Sequence, residues 1–198
     1  MKDYQRMESF DKTKEKLEEE GYTAQAYTIS IFKANVMAFV IAVPLALLCS
    51  VLFFSLHAGQ SFVFSFSDPF LFLLFWIISM ALNEILHGLA WSFYSKKGWK
   101  SIHIGVMWRK LTPYCCCLEP LRFGPYMLGC LMPLILLGLG TFAVAVFTGS
   151  LLWLVVSVVN IISTGGDLTI ALALRKHKNA WIVDHPTECG FWAFSKNK

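Results

Sequence analysis

Four long apolar runs, separated by short polar segments, dominate the pattern of the chain. They cover residues 34–56, 69–94, 126–147 and 151–174. Each run is long enough to cross a hydrocarbon core of about 30 Å as an α-helix, which rises about 1.5 Å per residue. The pattern therefore predicts an all-α integral membrane protein with four transmembrane helices.

The segment between the second and third runs follows a different pattern. Apolar residues alternate with His103 and Gly105 between residues 102 and 106, before Thr112 and Pro113 interrupt the alternation. Alternation of this kind is typical of a β-strand. We expect a small β-hairpin or a re-entrant element between helices two and three.

The positive charges give this topology an orientation. All 17 Lys and Arg lie before the first run, between the second and third, or after the fourth. Because Lys and Arg concentrate in the cytosolic loops of membrane proteins, the middle connection and both termini are expected in the cytosol. The chain is thus predicted to be a multi-pass cell-membrane protein in contact with membrane lipid. Its net charge of +4 reflects this topology, and no nucleic-acid partner is expected.

The composition agrees with a membrane protein. Hydrophobic residues make up 56% of the chain and charged residues 15%, a balance that excludes an ordinary soluble domain. Residues 4–20 place apolar side chains at helical spacing among Lys and Glu, as in a short amphipathic helix. We therefore divide the chain into a cytosolic amphipathic N-terminal segment (1–33), a four-span membrane domain with the candidate site (34–174) and a cytosolic tail (175–198).

Two acidic residues lie where charge is costly. Of the 13 Asp and Glu, only Glu84 and Asp167 lie well inside predicted spans. A charged side chain there costs about 2.5 to 3.5 kcal/mol on insertion scales, so an ionisable residue inside a span indicates a functional site. Glu84 and Asp167 each lie about 15 residues into a span that runs from outside to inside. The two carboxylates are therefore expected at the same depth, where they could meet.

Glu84 belongs to a pattern that suits a metal-dependent peptidase. Asn83 and His87 are four residues apart, so their side chains point the same way on one helix, as two ligands of one metal ion must. A glutamate beside the first ligand activates water in such sites. Glu84 has this general-base position and His87 the second-ligand position, while Asp167 can supply a ligand from the fourth span. Asn160, two turns before Asp167 on a similar face, could orient one of the ligands.

Three ordered motifs carry a resemblance to a known family. They are Asn83-Glu84-Ile85-Leu86-His87-Gly88, Thr112-Pro113-Tyr114-Cys115-Cys116-Cys117-Leu118-Glu119-Pro120-Leu121, and Asn160 followed by Gly166-Asp167-Leu168. In these motifs the chain resembles bacterial membrane proteins classed as putative zincin peptidases, which are similar to site-2 intramembrane metalloproteases. The resemblance implies a zinc-dependent peptidase that acts on membrane-embedded or membrane-adjacent peptides. It also implies that Glu84 is the base and that His87 and Asp167 are zinc ligands.

The chain departs from the family pattern at two positions. Asn83 stands where the family has the first histidine of the helix motif, and an amide oxygen is a poorer zinc ligand than imidazole. Cys116 stands where a histidine commonly lies between two cysteines. Four explanations stay open: a catalytically inactive relative that binds or sequesters membrane substrates, a weaker or different metal site that uses Asn83 or water, a site completed by a thiolate from residues 115–117, and a substitution introduced at position 83.

Interpretations without a metal also stay open. Glu84 and Asp167 could form the proton relay of a small transporter, because ionisable pairs inside spans serve this role. His87 and Asn83 could instead be hydrogen-bonding groups that join helices. Metal binding is the property that separates these alternatives from a peptidase.

Overall fold

The computed structural model describes residues 3–63, 65–107, 112–188 and 190–196. Helices make up most of this part of the chain and include every long apolar run. Their bounds are α1 Asp3–Glu19, α2 Ile31–Leu56, α3 Asp68–Ser92, α4 Phe123–Pro133, α5 Gly140–Thr148, α6 Leu151–Ser163 and α7 Gly165–Leu174, with a 3₁₀ turn at Gly98–Ser101 and a π-helical segment at Leu134–Leu139. The mostly helical architecture predicted from the apolar runs is confirmed.

Three helical stretches are long and apolar enough to cross a membrane: Val36–Leu56, Asp68–Ser92 and Phe123–Thr148. A further candidate is α6 followed by α7, which are bent by 43° at a short break. The residues that the structure describes thus contain three candidate membrane helices, or four if the bent pair is one span. These helices agree with the membrane localisation expected from the sequence.

The break between α6 and α7 lies at a close contact between helices. A Cβ on Gly165 would lie 2.6 Å from the Cβ and 2.8 Å from the Cα of Ala38 on α2. Only a residue without a side chain allows this approach. Asp167 lies in the first turn of α7, two residues after Gly165. The contact with α2 therefore fixes the helix end that carries Asp167.

The third candidate span is irregular after Pro133. The π-helical segment that follows directs two carbonyl groups towards polar side chains of α6. Nδ2 of Asn160 donates to the carbonyl of Leu137 at 3.2 Å, and Oγ of Ser157 donates to that of Gly138 at 2.9 Å. Backbone groups in lipid need partners inside the protein, so these side chains stabilise the irregular span.

A four-stranded antiparallel sheet joins three distant parts of the chain. Its order is β1 (Thr23–Thr28), β6 (Gly190–Ser195), β5 (Trp181–Asp184) and β4 (Leu121–Arg122). The strand β1 precedes the first apolar run, β4 lies between the second and third, and β5 and β6 follow the fourth. The sequence did not predict this sheet, because β4 and β5 have only two and four residues, and β1 pairs with a strand near the other end of the chain.

The helix α1 packs against the four-stranded sheet. Phe10 and Leu17 of α1 are buried together with Val183 and Phe194 of the sheet. The apolar stripe that predicted a helix over residues 4–20 thus finds its partner in the C-terminal strands. The two ends of the chain form one layer.

The strands β2 (Ile102–Met107) and β3 (Thr112–Cys117) form an antiparallel hairpin in which Ile102 lies opposite Cys117. This confirms the hairpin predicted between helices two and three. The connection, residues 108–111, lies outside the described residues.

Pro113 was expected to interrupt the extended segment, but it lies inside β3. The reason is the hydrogen-bond pattern of the hairpin. The backbone N–H of Leu118 donates to the carbonyl of Ser101, so even-numbered residues next to and within β3 bond towards β2 and odd-numbered residues point away. A proline at an outward position removes no bond of the hairpin.

Candidate active site

The structure brings His87 of α3 and Asp167 of α7 together. Nε2 of His87 lies 3.4 Å from Oδ2 of Asp167. The side chain of His87 is 6% exposed, whereas that of Asp167 is 25% exposed. The carboxylate is therefore the more exposed side of the pair.

A backbone carbonyl sets the orientation of the His87 ring. Because Pro133 has no N–H, the carbonyl of Gly129, four residues earlier, lacks its usual helical donor. Nδ1 of His87 lies 2.9 Å from this oxygen. A carbonyl can only accept, so Nδ1 carries a proton and donates it. Nε2 then faces Asp167, and the ring is held in the way that proteins hold metal-binding histidines.

Gly129 also permits a close crossing of α3 and α4. A Cβ at this position would lie 1.9 Å from Nε1 of Trp91. The same indole nitrogen donates to the carbonyl of Tyr126 at 3.2 Å. The Trp91 ring stacks on His87, with ring centroids 5.4 Å apart. An indole face and a carbonyl edge together hold the imidazole in place.

Glu84 lies close to one helical turn before His87 and is 9% exposed. Nδ2 of Asn83 donates to Oε1 of Glu84 at 3.2 Å. The backbone N–H of Cys115 in β3 lies beside the same carboxyl group. Asn83, the predicted extra ligand, is thus engaged through its amide nitrogen, which leaves its Oδ1 as the atom that a metal could use.

Asn160 is buried in α6, and its amide nitrogen contacts the third span. The bond to the carbonyl of Leu137 gives this side chain a role in the packing of α6 against the third candidate span. Its role in orienting a metal ligand stays a prediction.

The hairpin packs directly on the helical turn that carries His87. A Cβ on Gly88 would lie 2.7 Å from Cγ2 of Ile102 and 3.3 Å from Sγ of Cys115. A glycine at this position therefore lets β2 and β3 reach the surface of α3. The hairpin forms one wall of the site.

The three adjacent thiols of β3 are poor ligands in this arrangement. Burial raises the pKa of Cys116 and of Cys117 to about 12, and it raises the pKa of Cys115 as well. The thiolate is the form that binds metal. These side chains are therefore neutral near pH 7, and a metal would have to displace their protons.

Asp184, at the end of β5, is a residue near the site that the sequence did not single out. Its Oδ2 accepts a hydrogen bond of 2.7 Å from the backbone N–H of Cys117, and its Oδ1 accepts one from the hydroxyl of Tyr126. Removal of the carboxyl group from water raises the pKa of Asp184 to about 6. The only sequence signal was an acidic residue that ends a short apolar strand.

The His87 and Asp167 pair fits two positions of a zinc site. Nitrogen and oxygen ligands lie about 2.0 to 2.2 Å from zinc, so two of them at a tetrahedral angle are about 3.4 Å apart. The observed separation is 3.4 Å. Within the described ranges, no group of three or more His, Cys, Asp or Glu is placed to hold a metal. Other positions would fall to the Asn83 oxygen, to water or to substrate.

The comparisons with known proteins give one match. A family model with the description "Putative zincin peptidase" matches residues 76–182, which is more than half of the chain. The matched region begins in α3 and ends in β5, so it contains Glu84, His87 and Asp167. No curated protein and no solved structure matches the chain.

Proposed function

We propose that this chain, which belongs to the putative zincin peptidase family, is a zinc-dependent peptidase that cleaves peptides in or next to the membrane, in the manner of site-2 proteases. One observation carries the proposal. His87 is fixed through Nδ1 by the Gly129 carbonyl, and its Nε2 lies 3.4 Å from Asp167, the spacing of two zinc ligands.

Each residue of the site has a defined task in this reaction. His87 and Asp167 would hold zinc, which when bound polarises the scissile carbonyl and lowers the pKa of water. Glu84, shielded from solvent near His87, accepts the proton of the attacking water. The amide nitrogen of Asn83 donates to one Glu84 oxygen and thereby orients the other.

The sheet supports four membrane spans. The strands β4 and β5 are neighbours in one sheet, and the paired strands cannot lie on opposite sides of a membrane. The chain between them contains the span Phe123–Thr148 and the bent pair α6 and α7. If the span Phe123–Thr148 crosses the membrane, the bent pair α6 and α7 must cross back to the same side. The same argument applies to β1 and β4, which are separated by α2 and α3.

The orientation follows from the positive charges. The three segments that contribute strands to the sheet, together with the connections next to them, contain all 17 Lys and Arg. The sheet, α1 and the hairpin therefore form the cytosolic layer of a cell-membrane protein. In this arrangement residues 1–33 and 175–198 lie on one side of the membrane domain, residues 34–174, and the active site opens towards the cytosol.

The hairpin supplies an edge for an extended substrate. Odd-numbered residues of β3 point their backbone groups away from β2, and the N–H of Cys115 among them lies beside Glu84. A peptide whose N–H groups donate to the outward carbonyls of Pro113 and Cys115 would bring its backbone next to Glu84. These carbonyls are the groups that remain, because Pro113 has no N–H and that of Cys115 lies beside Glu84. Strand addition would also expose a peptide bond that a substrate helix hides. Photo-crosslinkers at positions 113 and 115 should then capture substrate.

A second function, a pseudo-peptidase that binds and sequesters membrane peptides, is favoured by one observation. Asn83 donates to Glu84, and the described residues supply two zinc ligands of the His, Cys, Asp and Glu types. Such a site would hold a peptide without cleaving it.

Hydrolysis in proteoliposomes separates the two functions. The probe is a fluorogenic library of single-span peptides, supplied with zinc. The peptidase proposal expects hydrolysis by the wild type, its loss in Glu84→Gln, and wild-type rates in Glu188→Gln, which changes an exposed glutamate. Hydrolysis that appears only in Asn83→His supports the pseudo-peptidase. Absence of hydrolysis in both the wild type and Asn83→His contradicts the peptidase proposal.

A further inference from the structure

Two backbone N–H groups on the outer edge of β3 are held by carboxylates from different parts of the chain. The backbone N–H of Cys115 lies beside Glu84 of α3, and that of Cys117 donates to Asp184 of β5 at 2.7 Å. In a strand, backbone groups two residues apart point to the same edge. Asp184 therefore holds the strand at the position next to the one that faces the general base.

The same carboxyl group also holds the helix that orients His87. Oδ1 of Asp184 accepts the hydroxyl of Tyr126, which lies in the first turns of α4. The Tyr126 ring stacks on Trp91 with centroids 5.2 Å apart, and Trp91 stacks on His87. Gly129, whose carbonyl accepts from Nδ1 of His87, follows Tyr126 by nearly one turn.

The contacts of Asp184 connect the site to a part of the chain outside the family match. Asp184 lies two residues beyond the region 76–182 that matches the family model. Its strand is paired with β6, which is paired with β1 of the N-terminal segment. The Asp184 side chain thus connects the layer built from the two ends of the chain to β3 and α4 at the site.

We propose that Asp184 is a positioning residue, which through Cys117 holds β3 against Glu84 and through Tyr126 holds the carbonyl that orients His87. The inference rests on the proposed function for its role in catalysis, while the contacts themselves do not require a metal. Asp184 touches neither the metal ligands nor the base in a described contact. It also marks the end of the β3 edge that is open to a substrate strand.

Three variants of the full chain in detergent test this role. Asp184→Ala removes both acceptors. Asp184→Asn keeps the shape, because its oxygen can accept from Cys117 and its amide can donate to the Tyr126 oxygen. Glu188→Ala is the matched control, an exposed acidic residue in the same tail. If Asp184→Ala does not fold, two other variants take its place. Tyr126→Phe, which removes one of the two contacts, serves for the His87 measurement, and Asp184→Leu, which fills the volume but offers no acceptor to Cys117, serves for the β3 measurement.

The β3 contact is measured by alkylation of the metal-free protein. Cys117 is 1% exposed, and Cys49, which is 5% exposed in α2, is the internal reference. We expect maleimide to modify Cys117 at least about tenfold faster in Asp184→Ala than in wild type or Glu188→Ala, with Cys49 unchanged. Asp184→Asn, which keeps an acceptor for Cys117, should retain most of the protection, and Asp184→Leu should behave as Asp184→Ala. Unchanged protection of Cys117 overturns the inference.

The His87 contact is measured by zinc affinity, at a temperature where each variant is fully folded. Loss of groups that orient a metal ligand typically weakens metal binding by about 10- to 100-fold. We expect weakening of about tenfold in Asp184→Ala, recovery in Asp184→Asn, and no change in Glu188→Ala. Faster alkylation with unchanged zinc affinity would make Asp184 a structural anchor only and would overturn the positioning role.

A wild type that binds no zinc would contradict the proposed function rather than this inference. The His87 contact is then read from the ¹⁵N spectrum of histidine-labelled metal-free protein, with His87→Gln for assignment. We expect one Nδ1–H signal protected from exchange in wild type and loss of that protection in Asp184→Ala. Equal exchange in both proteins overturns the inference.

Discussion

His87 donates a hydrogen bond through Nδ1 to the carbonyl oxygen of Gly129, 2.9 Å away across the contact of α3 and α4. The carbonyl is available because Pro133 brings no N–H to it. A proline in one membrane helix thus orients a histidine in another. The orientation leaves Nε2 facing Asp167, which is the arrangement on which the proposed zinc binding depends.

Substitution of Gly129 should disturb this orientation. In Gly129→Ala the new Cβ would meet Nε1 of Trp91 at 1.9 Å, so α3 and α4 must separate. Overpacking of this kind costs about 1 to 3 kcal/mol, and we expect a lower thermal unfolding midpoint in detergent. Gly124→Ala, in the same helix with nothing within 4 Å of its Cβ, should not lower it. Equal midpoints in the two variants would contradict the close crossing.

The neighbouring glycines at the start of α7 form a second matched pair. A Cβ on Gly165 would lie 2.8 Å from the backbone Cα of Ala38, whereas one on Gly166 has nothing within 4 Å. Gly165→Ala should therefore destabilise the protein by about 1 to 3 kcal/mol. Gly166→Ala should be neutral or stabilise it by up to about 1 kcal/mol, since alanine favours a helix. Thermal unfolding of both variants checks the contact, and similar destabilisation by both would argue against it.

The sequence predicted the features that depend on long patterns. Apolar runs of membrane length gave the helices, and alternation around His103 gave the hairpin. The four-stranded sheet was missed because two of its strands have only two and four residues, and because β1 and β4 pair with strands that are far away in the chain. The partners of His87 and Asp184 include backbone groups, which every residue carries, so residue identity could not indicate Gly129 or Cys117 as a contact. Asp167 was found because an acidic residue in an apolar run is rare.

The carboxyl group of Asp184 should make stability depend on pH. Its pKa is about 6 in the folded protein against an ordinary value of 3.8, so the folded state binds the proton more tightly. The contribution of Asp184 to the free energy of unfolding is then fully present below about pH 4. It falls as the pH rises towards 6, by on the order of 2 kcal/mol. Asp184→Asn removes this dependence.

The comparison of unfolding midpoints between pH 4 and pH 7 isolates this contribution. Other carboxyl groups titrate in both proteins, so the difference between wild type and Asp184→Asn is the relevant quantity. It should favour the wild type more at pH 4 than at pH 7. A difference that is constant with pH, or that has the opposite slope, would show that Asp184 is not responsible.

The topology can be tested with single cysteines and an impermeant maleimide in intact cells. Four spans put Ala58, after α2, outside and Glu188, in the tail, inside, and both positions are exposed. We expect labelling of Ala58→Cys above that of the unsubstituted chain and labelling of Glu188→Cys only after the cells are opened. Tags at both termini should lie on the same side. Termini on opposite sides would mean that α6 and α7 do not cross.

The most direct test of the central claim is the zinc content of the purified protein. The wild type should bind about one zinc ion per chain, and His87→Ala and Asp167→Ala should each reduce zinc to background, because each removes one of the two ligands. His57→Ala is the matched control, since Nδ1 of His57 also lies 3.0 Å from a helix carbonyl, that of Phe53, and it should retain zinc. A wild type without zinc, or zinc retained in both ligand variants, would contradict the account.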